Sequence, residues 1–402
     1  MAGGPRVVHV ALATVLFLGM VPGSAAAPGV RDAKIKIGVH LPLTGASPVA
    51  SSTAPKGARL LWKWLRLKNH PVHGRHGRVL VRNDNFNPSQ AVAVCKEMVE
   101  EKHVFMLTGM PSHSGNVDQM TACARYARSV GVPYVSIGTT EMPLKALRTY
   151  FAVTVTMPDQ SSLLADYLTE GRSRRNDKNG ILWFNSPAYK ETHTSIARAF
   201  NRRETPFDYD RSIPNQSGSA EAQQAVQEMK LAEIDNVVVL VTPIFFLQLL
   251  SAANSNDYHP LWTGPGLTMT STDDVARVGC GDANLKARFL SPLPATADRA
   301  AFDPAYDKAV RKIYPEEHPT DAFLWQGWAT SKVLRSMLDR AGRDLTRKGF
   351  VRKVERARGI RTGILPPIGF SPDDHFGGRG TYLLKADCQT DAWKTIEKIT
   401  RR

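Results

Sequence analysis

Residues 34–45 read KIKIGVHLPLTG and indicate how the chain begins to fold. Polar and apolar side chains alternate over residues 34–40, which is typical of a β-strand with two different faces. The small residues Thr44 and Gly45 follow and favour a turn. Apolar residues then recur at helical spacing over residues 54–68. The stretch therefore predicts a strand, a turn and a helix, which is the first unit of an α/β protein.

The same order of elements repeats along the chain, outward from this first unit. In the first half the patterns predict strands over 78–82, 104–107 and 133–137, and helices from Pro88 and over 117–130. In the second half they predict strands over 181–184 and 237–241, and helices over 161–168, 194–200, 220–229 and 245–253. Further helices are expected over 304–314, 321–341 and 347–356, with a β-prone piece at 381–384. Alternation of this kind predicts two similar α/β halves in tandem, each with a parallel sheet.

The length and the N-terminus set the domain count and the compartment. A chain of 402 residues suits two domains with separate cores. Arg6 precedes an apolar stretch, Val7 to Val21, and the small run Ser24 to Ala27 follows. This pattern predicts a signal peptide over 1–27, because the stretch is short for a membrane span. No cysteine lies near the cleavage region, so we expect export to the periplasm or the cell exterior without a lipid anchor.

Four cysteines, Cys95, Cys123, Cys280 and Cys388, are compatible with an oxidising compartment. None forms a Cys-x-x-Cys pair, which argues against zinc ribbons and thioredoxin-like redox sites. Three disulfide pairings are possible in principle. Cys95 and Cys123 fall on successive predicted helices, which often lie side by side, and they are therefore plausible partners.

The chain is strongly basic, with 52 Lys and Arg against 37 Asp and Glu and a net charge of +15. Nucleic acid is a candidate partner on charge alone, but export and the lack of interleaved aromatic residues argue against it. The densest basic stretch runs from Arg340 to Arg361. It fits either a solvated helix face or a contact with a transporter or an anionic surface.

Several stretches in this order resemble type I periplasmic binding proteins of the leucine/isoleucine/valine-binding class, the receptors of ABC-type importers. They are residues 35–38 with 41–45, 74–84, 87–91, 104–109, 131–136, 235–239 and 262–266. The resemblance covers nearly all of the chain after the signal peptide. It implies two Rossmann-like lobes joined by a three-segment hinge, with a ligand cleft between the lobes.

Lobe 1 would comprise residues 34–152 plus 294–378, and lobe 2 residues 153–293 plus 379–402. This division implies the disulfides Cys95–Cys123 and Cys280–Cys388, because each bridge then stays within one lobe and leaves the hinge free to close.

The resemblance also implies the ligand contacts, which lie on loops at the carboxyl ends of strands. The expected substrate-binding residues are Ser47, Ser112, His113, Ser114, Gly138, Thr139 and Thr140 from lobe 1, with Tyr189 and Phe245 from lobe 2. The serines, threonines and glycine are also common turn and cap residues, and Tyr189 and Phe245 also suit a packed core.

The chain departs from amino-acid-binding relatives at the place where an acidic residue holds the ligand's ammonium. Here the sequence reads Gly266-Leu267. Burying an ammonium without an opposite charge costs on the order of several kcal/mol, because an isolated charge loses its hydration. A carboxylate without an amine, an amide, or a larger apolar or aromatic compound is therefore the expected ligand.

Other chemistry is poorly supported by the sequence. No nucleophile elbow, P-loop, zincin motif or complete dinucleotide fingerprint is present, so we expect no enzyme activity and no cofactor. His70, His73 and His76 could in principle bind a metal, but they fall in a Pro- and Gly-containing turn away from the predicted cleft, so no metal is expected.

The predicted function is an extracytoplasmic solute-binding protein of an ABC-type importer, a monomer whose partner is a membrane permease. The alternative is a ligand-sensing receptor module of the same fold, because fold alone does not separate transport from sensing.

Overall fold

The computed structural model describes residues 1, 3–4, 27–31, 33–45, 49–109, 118–137, 142–169, 176–215, 217–266, 269–270, 273–281 and 285–400. Within them, the first half of the chain forms β1 (Val30–Arg31), β2 (Lys34–Leu41), α1 (Ala54–Leu67), β3 (His76–Asn83), α2 (Pro88–Lys96), β4 (Met106–Gly109), α3 (Asp118–Ser129), β5 (Tyr134–Ser136) and β6 (Tyr150–Ala152). A π-helical turn at Glu97–Glu101 extends α2, and a 3₁₀ turn at Met142–Ala146 precedes β6.

The second half repeats the alternation of helix and strand. It forms α4 (Met157–Thr169), β7 (Asn179–Phe184), α5 (Pro187–Asn201), β8 (Tyr209–Ile213), α6 (Ser219–Leu231), β9 (Asn236–Leu240), α7 (Pro243–Ser255), β10 (Leu261–Pro265), α8 (Asp274–Cys280) and β11 (Lys286–Ser291). A 3₁₀ turn at Thr296–Asp298 leads into α9 (Arg299–Phe302), α10 (Pro304–Ile313), α11 (Ala322–Ala341) and α12 (Arg347–Glu355), and the chain ends in β12 (Gly380–Asp387) and β13 (Ala392–Thr400).

Two separate sheets form, and their parallel strands have the same order. In the first sheet β3 pairs with β2, and the order continues β2-β4-β5-β6, with short β1 antiparallel to β2. In the second the order is β8-β7-β9-β10-β11, followed by the antiparallel strands β12 and β13. Each sheet thus reverses its winding once, between β2 and β4 and between β7 and β9. These reversals are the topological switch points at which open α/β sheets leave a crevice.

Each sheet is covered by helices on both faces, as parallel sheets require. Helices α1, α10, α11 and α12 share one core with the first sheet, and α2 and α3 share another. Helices α6, α7 and α8 share one core with the second sheet, and α4 and α5 share the other. The tryptophans of α11, Trp325 and Trp328, are 1% exposed and belong to the first of these cores.

Three segments carry the chain between the two sheets, and they contact one another. The segment after β6 pairs with a later one, because Ala152 N donates to His375 O at 3.0 Å and Gly377 N donates to Ala152 O at 2.8 Å. The third segment leaves β11, where Thr381 Oγ1 donates to Ser291 O at 2.6 Å. Since the first and third segments leave from carboxyl ends of strands, both carboxyl edges lie on the side where the sheets meet.

Two disulfides are present, Cys95–Cys123 between the helices α2 and α3 and Cys280–Cys388 between α8 and the loop after β12. This is the pairing that the resemblance implied. Each bridge joins elements that pack around the same sheet, so neither one crosses between the two sheets.

Candidate functional site

The switch point of the second sheet presents two helix starts side by side. Helix α5 follows β7, and α7 follows β9, which is the neighbouring strand. Ser186 and Thr242 cap these helices by accepting from the third helical amide, and each helix has proline near its start. The second amide of each helix, that of Ala188 or Ile244, has no acceptor inside its helix. Two amides and two positive dipole ends therefore face the space between the sheets, an arrangement that suits a carboxylate.

The two lobe 2 residues predicted from the resemblance differ in their surroundings. Tyr189 lies in the first turn of α5, partly buried, with its ring against Phe184. Burial raises the pKa of its phenol to about 12, so the hydroxyl stays protonated and can donate. Phe245 is 2% exposed and packs on Phe184 at 5.2 Å between ring centroids. In this structure the Phe245 ring lies in the core of the second sheet, and its role as a ligand contact stays a prediction.

Ile244 is the apolar side chain that this helix start exposes, at 74% of its surface. Sequence reasoning missed it because apolar periodicity cannot tell which of two adjacent apolar residues in a first helical turn faces solvent. The two helix caps could have been predicted from the sequence, since Ser186-Pro187 and Thr242-Pro243 each follow an apolar strand.

The switch point of the first sheet is held by a buried polar network. His40 on β2 is joined to Asp84 Oδ2 through Nδ1 at 2.6 Å and to the Tyr134 hydroxyl through Nε2 at 2.7 Å. With Asp84 as acceptor, Nδ1 donates and Nε2 accepts from the tyrosine. Strand β4 lies between His40 on β2 and Tyr134 on β5. Gly109 of β4 leaves room for the hydrogen bond between their side chains. A Cβ there would lie 2.5 Å from the Tyr134 hydroxyl.

This network cannot be a catalytic dyad open to a substrate, because His40 and Asp84 are both 0% exposed. It ties the carboxyl ends of β2 and β3 to β5 across β4. Neither the histidine nor the aspartate had been singled out from sequence, since they are far apart in the chain.

The rim above this network is formed by two turns that hydrogen-bond to each other. Thr44 Oγ1 donates to Asn85 Oδ1 at 2.7 Å, and Asn83 Nδ2 donates to Thr44 Oγ1 at 2.7 Å. Gly45 has φ 105°, and a Cβ there would lie 2.2 Å from Asn85 O, so glycine is required. The rim therefore fixes the start of the loop that leads to Ser47.

The predicted lobe 1 contacts lie outside the described residues. They are Ser47, Ser112, His113, Ser114, Gly138, Thr139 and Thr140. The described strand ends that lead to them are β2, β4 and β5, which flank the switch point of the first sheet.

Metal binding finds little support within the described part of the chain. The one group of three potential ligands found there is His40 with Cys95 and Cys123, whose ligand atoms lie within 4.8 Å of one another. Both sulfur atoms belong to a disulfide and so are not thiolates. His70, His73 and His76 do not form such a group, and His73 Nε2 instead hydrogen-bonds to Asp339 O at 2.9 Å.

The fold and its paired switch points define a two-lobed α/β binding protein with the type I architecture. A family profile described as periplasmic binding protein matches residues 34–392. The chain belongs to the periplasmic binding protein family, a family of non-catalytic binding proteins, in agreement with the resemblance seen in the sequence. A search of curated proteins finds no match.

Solved structures with the same fold include three with stated ligands or transport roles, all at low identity. A fatty acid ABC transporter substrate-binding protein from Thermomonospora curvata is 16% identical, with 94% of this chain and 95% of that chain covered and a TM-score of 0.73. An ABC transporter solute-binding protein of R. palustris in complex with benzoate is 17% identical, with 91% and 96% covered and a TM-score of 0.69. A branched-chain amino acid transporter substrate-binding protein of Streptococcus pneumoniae in complex with isoleucine is 18% identical, with 92% and 99% covered and a TM-score of 0.68.

Among the residues that the structure describes, no helix combines the length and the apolar character needed to cross a membrane.

Proposed function

We propose that this protein is the extracytoplasmic solute-binding receptor of an ABC-type importer, which captures a small organic solute between its lobes and delivers it to a membrane permease. Family membership supports the binding role, and the transport roles of several structural relatives support the importer. The sequence features of a signal peptide over 1–27 support action outside the cytoplasm.

One observation carries the proposal: each sheet directs its switch point toward the other sheet. The second sheet contributes the capped starts of α5 and α7, and the first contributes the rim around Thr44 and the strand ends held by His40. A ligand bound between the two switch points contacts both lobes, so its binding free energy favours the closed arrangement of the lobes.

Ligand contacts from lobe 1 are proposed on the loops that follow β2, β4 and β5, with the residues implied by the resemblance, and Tyr189 is proposed as a lobe 2 hydroxyl donor. The lobes are proposed as 34–152 plus 294–378 and 153–293 plus 379–402, with the three crossing segments as the hinge. Closure then needs only small backbone rotations where these segments touch.

The proposed ligand is a small carboxylate with an apolar or aromatic body and no amine. The helix starts of α5 and α7 suit the carboxylate, and the exposed Ile244 suits the apolar body. The sequence at Gly266-Leu267 supplies no acid for an ammonium. Relatives of this fold include complexes with benzoate and with isoleucine, so the fold accommodates both kinds of ligand.

A matched pair of ligands tests the class directly. Leucine and 4-methylpentanoate share the carboxylate and the branched chain and differ in the ammonium group. Thermal shift followed by calorimetric titration should show binding of 4-methylpentanoate, benzoate or 4-hydroxybenzoate, because a ligand of the native state raises its stability. Leucine binding as tight as that of its deaminated analogue would overturn the ligand class. A failure of every acid, amide and amino acid tested would overturn the receptor proposal itself.

Ile244→Ser tests the position of the site. We expect at least a tenfold loss of affinity for the best ligand of the panel, because about 1.4 kcal/mol corresponds to tenfold and burial of an isoleucine contributes more than that. Leu231→Ser is the matched control, since Leu231 is 85% exposed at the end of α6. Equal ligand affinities of the two variants would show that the binding site does not include the start of α7.

A further inference from the structure

Basic residues from distant parts of the chain meet at the amino-terminal edge of the first sheet, opposite the cleft. Arg347, at the start of α12, donates through Nη2 to Val104 O at 2.7 Å, just before β4. Arg75, just before β3, donates to Arg343 O at 2.8 Å and to Arg31 O, just before β2, at 3.1 Å. In a parallel sheet these strand starts share one edge. That edge lies roughly 25 Å from the cleft, since β2 has eight residues that rise about 3.3 Å each.

The segment 340–358 at this edge has a large excess of positive charge. Residues 340–358 contain eight Lys and Arg and two acids, Asp344 and Glu355, and Glu355 hydrogen-bonds to His375. Arg340 Nη2 donates to Arg358 O at 3.3 Å, so the loop after α12 returns to the end of α11. Six exposed cations here have no carboxylate of a described residue within ion-pair distance: Lys34, Arg343, Lys348, Arg352, Arg356 and Arg358.

Exposed apolar side chains lie at the same edge. Leu67 ends α1 ahead of β3 and is 54% exposed, and Val130 follows α3 ahead of β5 and is 39% exposed. Cations beside isolated apolar side chains form the pattern of a membrane interface, whereas a platform for single-stranded nucleic acid needs exposed aromatic rings. None of the strongly exposed large hydrophobic residues in the described part of the chain is aromatic.

The chain also enters the fold at this edge. Gly29 packs on the backbone of residues 103–105, where a Cβ would lie 2.4 Å from Phe105 N, and its carbonyl accepts from Lys36 N at 2.9 Å. The apolar sequence Val7 to Val21 lies shortly before this point in the chain. Before the proposed cleavage of the signal peptide, a membrane that holds this segment is therefore adjacent to the basic edge.

From these observations we propose that the amino-terminal edge of the first sheet, centred on α12, binds membranes rich in anionic phospholipid. The cations contact lipid phosphates, and Leu67 and Val130 reach the headgroup boundary. The cleft, at the opposite edge, stays open to solutes. This inference does not depend on the ligand or on the importer.

Vesicle flotation of the full chain tests the proposal, with phosphatidylcholine vesicles compared with vesicles that contain about 30% phosphatidylglycerol. An apolar leader favours both lipids alike, so the difference between them reports on charge. We expect at least tenfold tighter binding to the anionic vesicles at low salt, and loss of this preference near 0.5 M salt, where the Debye length is only about 4 Å. Equal binding to both vesicles, or none to either, would overturn the proposal.

The triple variant Lys348→Glu, Arg352→Glu, Arg356→Glu should abolish the lipid preference. The matched control is Lys308→Glu, Arg311→Glu, Lys312→Glu, which makes the same charge change on exposed positions of α10. Helix α10 leads to Tyr314, whose ring lies near Lys56 and Lys63 of α1, away from the basic edge. The control should keep the preference.

A control that loses as much as the α12 variant would mean that net charge alone governs binding, against the proposal. Tighter binding to duplex DNA than to anionic vesicles, abolished by the α12 variant, would also overturn it in favour of a nucleic acid. If the glutamates lower the melting temperature, the glutamine triple Lys348→Gln, Arg352→Gln, Arg356→Gln serves in their place, with the same expected loss.

Discussion

His40 shows how single residues position the site from below. Its ring connects β2 to Asp84 and to Tyr134, across a β4 that ends in glycine. Both ring nitrogens have partners, which matters because an unsatisfied polar group inside the fold costs about 1–3 kcal/mol. The loops that follow β2 and β4 therefore start from a fixed base.

Tyr134→Phe removes the hydroxyl that His40 Nε2 uses. We expect the free energy of unfolding to fall by about 1–3 kcal/mol, because the nitrogen is left buried without a partner. Calorimetry should then record a melting temperature lower by several degrees. Tyr126→Phe is the control, since its hydroxyl donates to Glu100 at 3.2 Å in an exposed position and should matter little. Equal shifts for the two variants would contradict this role.

Helices α1 and α11 illustrate the scale of elements. They cross at Gly57 and Gly327, where the backbones touch: a Cβ on Gly327 would lie 2.2 Å from the carbonyl carbon of Gly57. This close approach brings the tryptophans of α11 into the core beside the first sheet. The absence of side chains at the crossing lets the two helices pack closely along their length.

Gly327→Ala tests this packing, because the change in the free energy of unfolding has a different sign with and without the close contact. Alanine in a helix interior is favoured over glycine by about 1 kcal/mol, so without the contact the variant would be more stable. We expect instead a loss of about 1–3 kcal/mol, since the helices must separate. Melting temperature reports the sign. Gly369→Ala, whose built Cβ has no atom closer than 3.8 Å, should change little.

At the scale of the whole molecule, three crossing segments connect the two sheets, and they are the hinge of the proposed closure. Gly378 lies against the neighbouring segment, where a Cβ would be 2.1 Å from the carbonyl carbon of Thr154. His375, beside it, stacks on Phe151 at 4.4 Å and accepts or donates at both ring nitrogens. The hinge is thus a packed layer of backbone, and the disulfides on either side leave it unbridged.

Gly378→Ala should separate two of these segments. We expect a lower melting temperature and a change in the radius of gyration by X-ray scattering, with weaker ligand binding, because the added methyl group displaces backbone rather than a flexible side chain. Gly369→Ala, whose nearest contact is 3.8 Å from the built Cβ, is the matched control. An unchanged radius and affinity in Gly378→Ala would mean that this contact does not set the lobe arrangement.

Local patterns were sufficient for most elements and insufficient for some. The predicted helix over 54–68 matches α1 within one residue, because its apolar face is regular. Strand β8 was missed, since Tyr209–Ile213 contains the adjacent charged residues Asp210 and Arg211 and lies at the edge of its sheet. The strand predicted at 104–107 is paired two residues later as β4, because β1 and Gly29 occupy the position beside Val104 and Phe105.

The sequence by itself determined the alternation of strands and helices in two tandem halves, because this alternation depends on neighbours within a few residues. Its resemblance to a known family implied the two lobes. Tertiary structure alone decided that Ile244 is exposed and Phe245 buried, that His40 meets Asp84 and Tyr134, and that the basic segments share one edge. Those facts depend on which strand lies beside which, and strand order is set by packing between residues far apart in the chain.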